Sequence, residues 1–212
     1  MPIIEIIFYF AILLFSIIIH EVSHGSVAYA LGDPTAKYAG RLTLNPIPHI
    51  DPFGSIILPL ILAIPILLGA PTIFPFILGW AKPVPINPYN FKDARWDNVK
   101  VALAGPGSNF LLALFFGLLI RFLPLPVPVL SIFSIIVILN LLLAIFNLIP
   151  IPPLDGSHLL FSLLPEKFWK LKEALSQYGL FILIFFIIYG LQWVFIGVFI
   201  LYYLITGQPL II

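Results

Sequence analysis

FGSIILPLILAIPILLGAPTIFPFILGW, residues 53–80, decides the topology of this chain. The stretch is apolar enough for a bilayer, but Pro59, Pro65, Pro71 and Pro75 interrupt it. Each proline removes a backbone donor and disfavours helix in the residue before it, so one smooth helix is excluded. At about 1.5 Å per residue the stretch makes either one long crossing or one leg and a shorter re-entrant return after Gly69. That choice fixes the side on which every later connector lies.

On either side stand further apolar runs. The first extends from Ile3 to Leu31, lacks a basic leader, is too long for a signal peptide, and is closed by Gly32-Asp33-Pro34. Val99–Leu123 and Val127–Leu148 are two clean spans joined by a hairpin holding Pro124, Pro126 and Pro128, and Tyr178–Thr206 is the last. Composition agrees: of 212 residues 61% are hydrophobic and 9% charged, with a mean hydropathy of +1.15. Soluble domains carry charge on about a quarter of their residues, so this is an integral membrane chain. A formal charge of +1 with no basic block excludes a nucleic-acid partner. With no cysteine, disulfide frameworks, thiolate catalysis and Cys-ligated metals are excluded as well, and any metal must use His, Asp or Glu.

The lysines and arginines choose between the two topologies. If residues 53–80 return to the side they left, Lys37, Arg41, Lys82, Lys92, Arg95, Lys100, Lys167, Lys170 and Lys172 share one face and only Arg121 lies opposite. A single crossing divides the same charges with much less bias. The positive-inside rule therefore selects the re-entrant form, with the polar connectors cytoplasmic and both termini outside. Two connector pieces, Lys37–Pro46 and Gly79–Pro88, alternate polar and apolar residues and end in Asn-Pro. They read as short membrane-associated β-strands or extended loops. The expected fold is an all-α polytopic membrane protein, one domain over 1–212, with about five transmembrane helices (spans near 3–31, 99–123, 127–148 and 178–206, with 53–80 re-entrant or a hairpin) plus the short strands.

Ionisable side chains inside apolar helices cost about 2.5–3.5 kcal/mol each on insertion scales, and so mark function by default. Near its end the first span holds three together: His20, Glu21 and His24, in HEVSH. Residues four apart share a helix face, so both imidazoles can meet one metal, and two neutral nitrogens suit zinc. Glu21, one position along, can face a zinc-activated water as general base without ligating. A polar patch between helices, or a histidine pair holding haem, is the alternative. A third ligand is needed, and Asp155, in NLIPIPPLDG at 147–156, is the best candidate. The prolines before it prevent regular helix and let the backbone carry a carboxylate back toward the site, and Gly156 permits a conformation that other residues resist. Only the re-entrant topology puts Asp155 and HEVSH on the same side of the membrane.

These residues resemble the site-2 protease family of intramembrane zinc metalloproteases, which couples HExxH on one helix to an N-x-x-P…LDG segment on another. HEVSH, Asn147 with Pro150, and Leu154-Asp155-Gly156 match it residue by residue. GPGSN at 105–109 is similar to the family's middle core helix, and GRLTLNP and GWAKPVPINP to the membrane-associated strands of its compact prokaryotic members. The likeness implies that His20, His24 and Asp155 bind one zinc ion, that Glu21 activates water, and that Asn147 helps hold the substrate or its developing oxyanion. It implies a plasma-membrane endopeptidase whose partners are the lipid bilayer and a transmembrane protein or peptide substrate. Connectors of about 20–30 residues are too short for a PDZ or CBS module. Oligomeric state is not readable from the sequence.

Other polar residues carry weaker signals. His49 and Asp51 suit a turn and a cap, or could line the site or bind a second ion. His158, three residues past Asp155 and so on the same helix face, reads as a surface or outer-sphere residue rather than a ligand, and Asn109 and Asn140 as interhelical hydrogen-bonders, Asn109 with a family-motif position that could equally place it near the site. The competing functional class is a metal transporter or channel using His20, His24 and Asp155 as a way-station.

Overall fold

The computed structural model describes residues 3–68 and 79–209. The helices are α1 (Ile3–Ala30), α2 (Thr35–Tyr38), α3 (Leu58–Leu67), α4 (Ala94–Phe122), α5 (Val127–Asn147), α6 (Asp155–Leu163), α7 (Trp169–Tyr189) and α8 (Leu191–Thr206). A π-helical turn, Pro52–Ile57, leads into α3. Among the described residues four helices are long and apolar enough to cross a membrane, at Ile6–Ala30, Ala94–Phe122, Val127–Asn147 and Glu166–Tyr189, and Leu191–Thr206 is a shorter apolar helix.

Helix α4 is the centre of the bundle, packing on α1, α5, α6 and α8. The apolar core joins Ala113 and Ile120 of α4 to Val137 and Leu141 of α5 and to Val198 and Tyr202 of α8. Small residues allow this approach: a Cβ at Gly117 would fall 2.4 Å from Ile205 Cγ2. Between α1, α4 and α5 the buried layer is polar. Asn109 Nδ2 donates to Asn140 Oδ1 at 2.8 Å and to Ser16 O at 3.1 Å, and Asn140 Nδ2 donates to Ser16 Oγ at 2.9 Å. The two asparagines thus bond between helices as expected, and each donor is satisfied where lipid offers no partner.

The proline-broken stretch comes back to where it left. Trp80 N donates to Gly54 O at 3.1 Å, and Ser55 Oγ donates to Trp80 O at 2.8 Å. A Cβ at Gly54 would fall 2.3 Å from the Trp80 indole, so the departing and returning strands touch because residue 54 has no side chain. A single crossing would separate these partners by a bilayer. Residues 69–78, which include the expected turn after Gly69, lie outside the described residues.

Two expectations are corrected. The last apolar run is not one helix over 178–206: helix begins at Trp169, one helix ends at Tyr189 and the next begins at Leu191, with Gly190 between them and the Phe186 ring 2.6 Å from where its Cβ would stand. The count is therefore four long apolar helices plus shorter ones. Nor does any β-strand form among the described residues. In Lys37–Pro46 the chain closes α2, turns at Gly40 (φ +66°), and satisfies its donors locally, with Asn45 N on Thr43 Oγ1 and Ile47 N on Asn45 Oδ1. Such side-chain turns compete with a ladder. In Gly79–Pro88, Pro83, Pro85 and Pro88 offer no donor, and Lys82 N is spent on His49 O at 2.9 Å. This strip is extended but unladdered, which is the loop form of the expectation.

Candidate metal centre

His20 and His24 stack one turn apart on α1, ring centroids 4.7 Å apart and nearly perpendicular. Their Nε2 atoms are 3.0 Å apart, and Asp155 Oδ2 lies 3.0 Å from His20 Nε2 and 3.2 Å from His24 Nε2. A tetrahedral zinc with Zn–N bonds near 2.0–2.1 Å holds its ligand atoms about 3.3 Å apart. The three atoms therefore already stand at close to the spacing one ion needs, and together they leave one tetrahedral position open. His20 and His24 are buried, and Asp155 is half-buried. The Asp155 carboxyl, despite a burial that pushes it up, is held below the usual carboxylate range by the two imidazoles beside it.

The other face of each imidazole is equally defined. His24 Nδ1 donates to Val101 O at 2.7 Å, a carbonyl that can only accept. His20 Nδ1 meets Asn109 Oδ1 at 2.6 Å, and because the Asn109 amide nitrogen is already committed to Ser16 and Asn140, its oxygen must face the ring. Both rings thus carry hydrogen on Nδ1 and turn a bare Nε2 toward Asp155, the arrangement that orients metal-binding histidines. Helix α4 supplies both partners and, between them, Gly105. A Cβ there would sit 2.3 Å from His24 Nε2 and 2.5 Å from His20 Nε2. Val101, Gly105 and Asn109, each four residues on, form one stripe of α4 fitted over the histidine pair.

Asp155 opens α6, after a proline-rich turn that ends α5. The role expected of Gly156 is corrected. Its φ is not positive, and what it permits is close approach, since a Cβ would fall 2.3 Å from Leu148 O. Glu21 is half-buried and accepts a hydrogen bond from Val84 N at 2.8 Å, from the extended strip across α1. Asn147 is the last residue of α5, where its amide nitrogen donates to Leu143 O at 2.9 Å.

His158 is exposed and lines a cavity of about 540 Å³ with Arg95 and Lys172, on a surface that includes none of the three proposed ligands. Asp51 caps the π-helical turn, accepting from Phe53 N and Gly54 N. His49 is fully buried, with Nε2 on Thr43 O at 2.9 Å, and burial and then the nearby Arg41 push its imidazole below the ordinary range. Sequence reasoning missed Val101 and Arg41. Val101 acts through a backbone carbonyl, which any residue type supplies, and Arg41 reads as one more surface cation although it is only 6% exposed.

A HExxH helix joined to an Asp-Gly segment from a distant helix is a metallopeptidase centre. The chain belongs to peptidase family M50: that family's model matches residues 124–189, which contain Asn147 and Asp155, and a curated relative matches over 79% of the chain. YwhC of Bacillus subtilis, provisionally named a zinc metalloprotease, is 40% identical over 176 residues, covering 79% of this chain and 74% of its own. Rip2 of Mycolicibacterium smegmatis, named in the same way, is 30% identical over 173 residues, and the match spans 81% of this chain and 62% of that protein. Rip2 of Mycobacterium tuberculosis H37Rv is 29% identical over 191 residues, 87% of this chain and 68% of its own. No solved structure matches the chain. The resemblance to the site-2 proteases is thereby borne out.

Proposed function

We propose that the chain is a single-domain intramembrane zinc endopeptidase that cleaves peptide bonds in or near transmembrane segments, with His20, His24 and Asp155 as the zinc ligands. The observation that carries this is the convergence of His20 Nε2, His24 Nε2 and Asp155 Oδ2 within 3.2 Å of one another, each imidazole fixed from behind by α4. Held by His20, His24 and Asp155, a zinc ion would supply Lewis-acid chemistry toward the scissile carbonyl and lower the pKa of water. Glu21, adjacent in sequence to one ligand and outside the ligand set, takes the proton of the attacking water and returns it to the leaving amine. Its carboxylate is already oriented by Val84 N. Asn147, at the end of α5, offers its carbonyl or amide to the substrate.

Placement on helices that cross the bilayer supports a membrane-embedded substrate. A transmembrane helix satisfies its amides internally, so cleavage requires local unwinding and water at the site. The bias of lysine and arginine to one face supports a plasma-membrane protein with its site toward the cytoplasm. A metal conduit would spread its ligands along a path through the bilayer, whereas these converge on one point. The test is proteolysis of a helical membrane substrate in liposomes by the wild type and by Glu21→Gln, each loaded with zinc. Loss of cleavage by about 10²–10⁴-fold with zinc retained is expected, and full cleavage by the variant overturns the assignment of Glu21.

A further inference from the structure

Among the described residues, two buried side-chain polar atoms lack a hydrogen-bond partner, Arg41 Nε and His49 Nδ1. Both belong to the loop that lies against the 82–84 strip. Arg41 Nη2 donates to Lys82 O at 2.5 Å and to Pro83 O at 3.4 Å. From the other side His49 O accepts Lys82 N at 2.9 Å. The strip is thus gripped through two of its carbonyls, those of Lys82 and Pro83, and its first amide. The sequence Pro83-Val84-Pro85 leaves one amide hydrogen, that of Val84, and it goes to Glu21 Oε2 at 2.8 Å. Gly25, one residue past HEVSH, makes the approach possible: a Cβ there would fall 2.7 Å from Leu42 Cδ2 and 2.9 Å from Val84 Cγ1.

Burying a guanidinium with one donor unpaired is costly, and apolar packing would hold a loop more cheaply. The cation is retained where one of its nitrogens, Nη2, donates to two successive carbonyls of the strip. We infer that Arg41 is a positioning residue of the peptidase reaction, which with the His49 backbone fixes the 82–84 strip so that Val84 N–H aims the Glu21 carboxylate. This rests on the reading of Glu21 as general base. Arg41 touches neither the three proposed ligands nor Glu21 in the hydrogen bonds of the site; it acts through two peptide units.

The experiment is a double-mutant cycle on the full chain in liposomes, with zinc content measured on every sample. Arg41→Gln is expected to lower kcat by about 10- to 100-fold, the cost of a misplaced catalytic group, with zinc content and KM within twofold of wild type. In the Glu21→Gln background the same change is expected to have no further effect on residual cleavage, because the group it positions is gone. Arg41→Lys, which keeps the charge but ends one atom short of the Nη2 position, should fall with Arg41→Gln and serves where the glutamine variant does not fold. Val84→Pro, which deletes the amide hydrogen in an already extended Pro-Val-Pro strip, should reproduce the kcat loss. Arg41→Gln and Arg41→Lys both at wild-type kcat, or an equal fold-loss on top of Glu21→Gln, overturns the proposal. If Glu21→Gln itself is fully active, the reading of Glu21 fails instead, and the two failures are distinguishable.

Discussion

Gly105 of α4 stands directly over His24 of α1: a Cβ at residue 105 would lie 2.3 Å from His24 Nε2, inside any real contact distance. Two residues on, a Cβ at Gly107 would meet nothing within 4 Å. Gly105→Ala is therefore expected to displace the imidazole pair and cut zinc occupancy to below about a tenth, the upper range for disrupting a ligand's support. Gly107→Ala should retain zinc and gain about 0.4–1 kcal/mol from the reduced freedom of the unfolded chain. Metal analysis and thermal unfolding in detergent check both.

Asn109 holds His20 from behind and closes the buried link to Ser16 and Asn140. Asn109→Leu removes the acceptor and the donors together. Zinc affinity, measured by competition with a chelator, should fall by about 10–100-fold. Unfolding should be easier by about 1–3 kcal/mol for the polar groups left unpaired. Asn109→Asp keeps an acceptor for His20 Nδ1 and should hold zinc more tightly than the leucine variant.

Asp33, just past α1, is buried and accepts from Thr35 N and Oγ1, Asn87 N and Asn90 Nδ2. Burial pushes its carboxyl up, but these donors outweigh it and hold the carboxyl below the ordinary value. The sign follows: a depressed folded-state value contributes stability that is complete above the unfolded-state pKa, about 3.9, and is lost as pH falls through the folded one. Wild type should lose Tm steadily below about pH 5. Asp33→Asn should be less stable at pH 7 and show a shallower loss on acidification. Parallel acid slopes for the two proteins would remove Asp33 from the account.

The hydrogen bond from Trp80 N to Gly54 O predicts sidedness. The chain has no cysteine, so single cysteines report without background. Tyr38→Cys and Tyr89→Cys, at residues 84% and 96% exposed, should react with a membrane-impermeant maleimide from the same side, and Val127→Cys from the other. Labelling of positions 38 and 89 from opposite sides would show that 53–80 crosses once.

What was legible in the sequence was what side-chain type alone can carry. HEVSH needs only helical periodicity to put two imidazoles on one face, and the lysine and arginine positions needed only the re-entrant topology to bring Asp155 to the same end. The strands misread in Lys37–Pro46 and Gly79–Pro88 show the limit. Alternation marks extended chain, but a ladder also needs free donors, and Pro83, Pro85 and the Thr43 and Asn45 side chains removed them. Gly190 within 178–206 is one glycine among apolar neighbours, and only the structure shows the Phe186 ring packed in the space that its missing side chain leaves. Val101 and Arg41 were out of reach because their roles pass through backbone carbonyls, which leave no mark on composition.

Zinc stoichiometry of the purified wild type beside Asp155→Ala tests the central claim most directly. The account predicts one zinc per wild-type chain and less than about a tenth of that in the variant, since a catalytic zinc is held by three protein ligands. Wild-type zinc content in Asp155→Ala would contradict it.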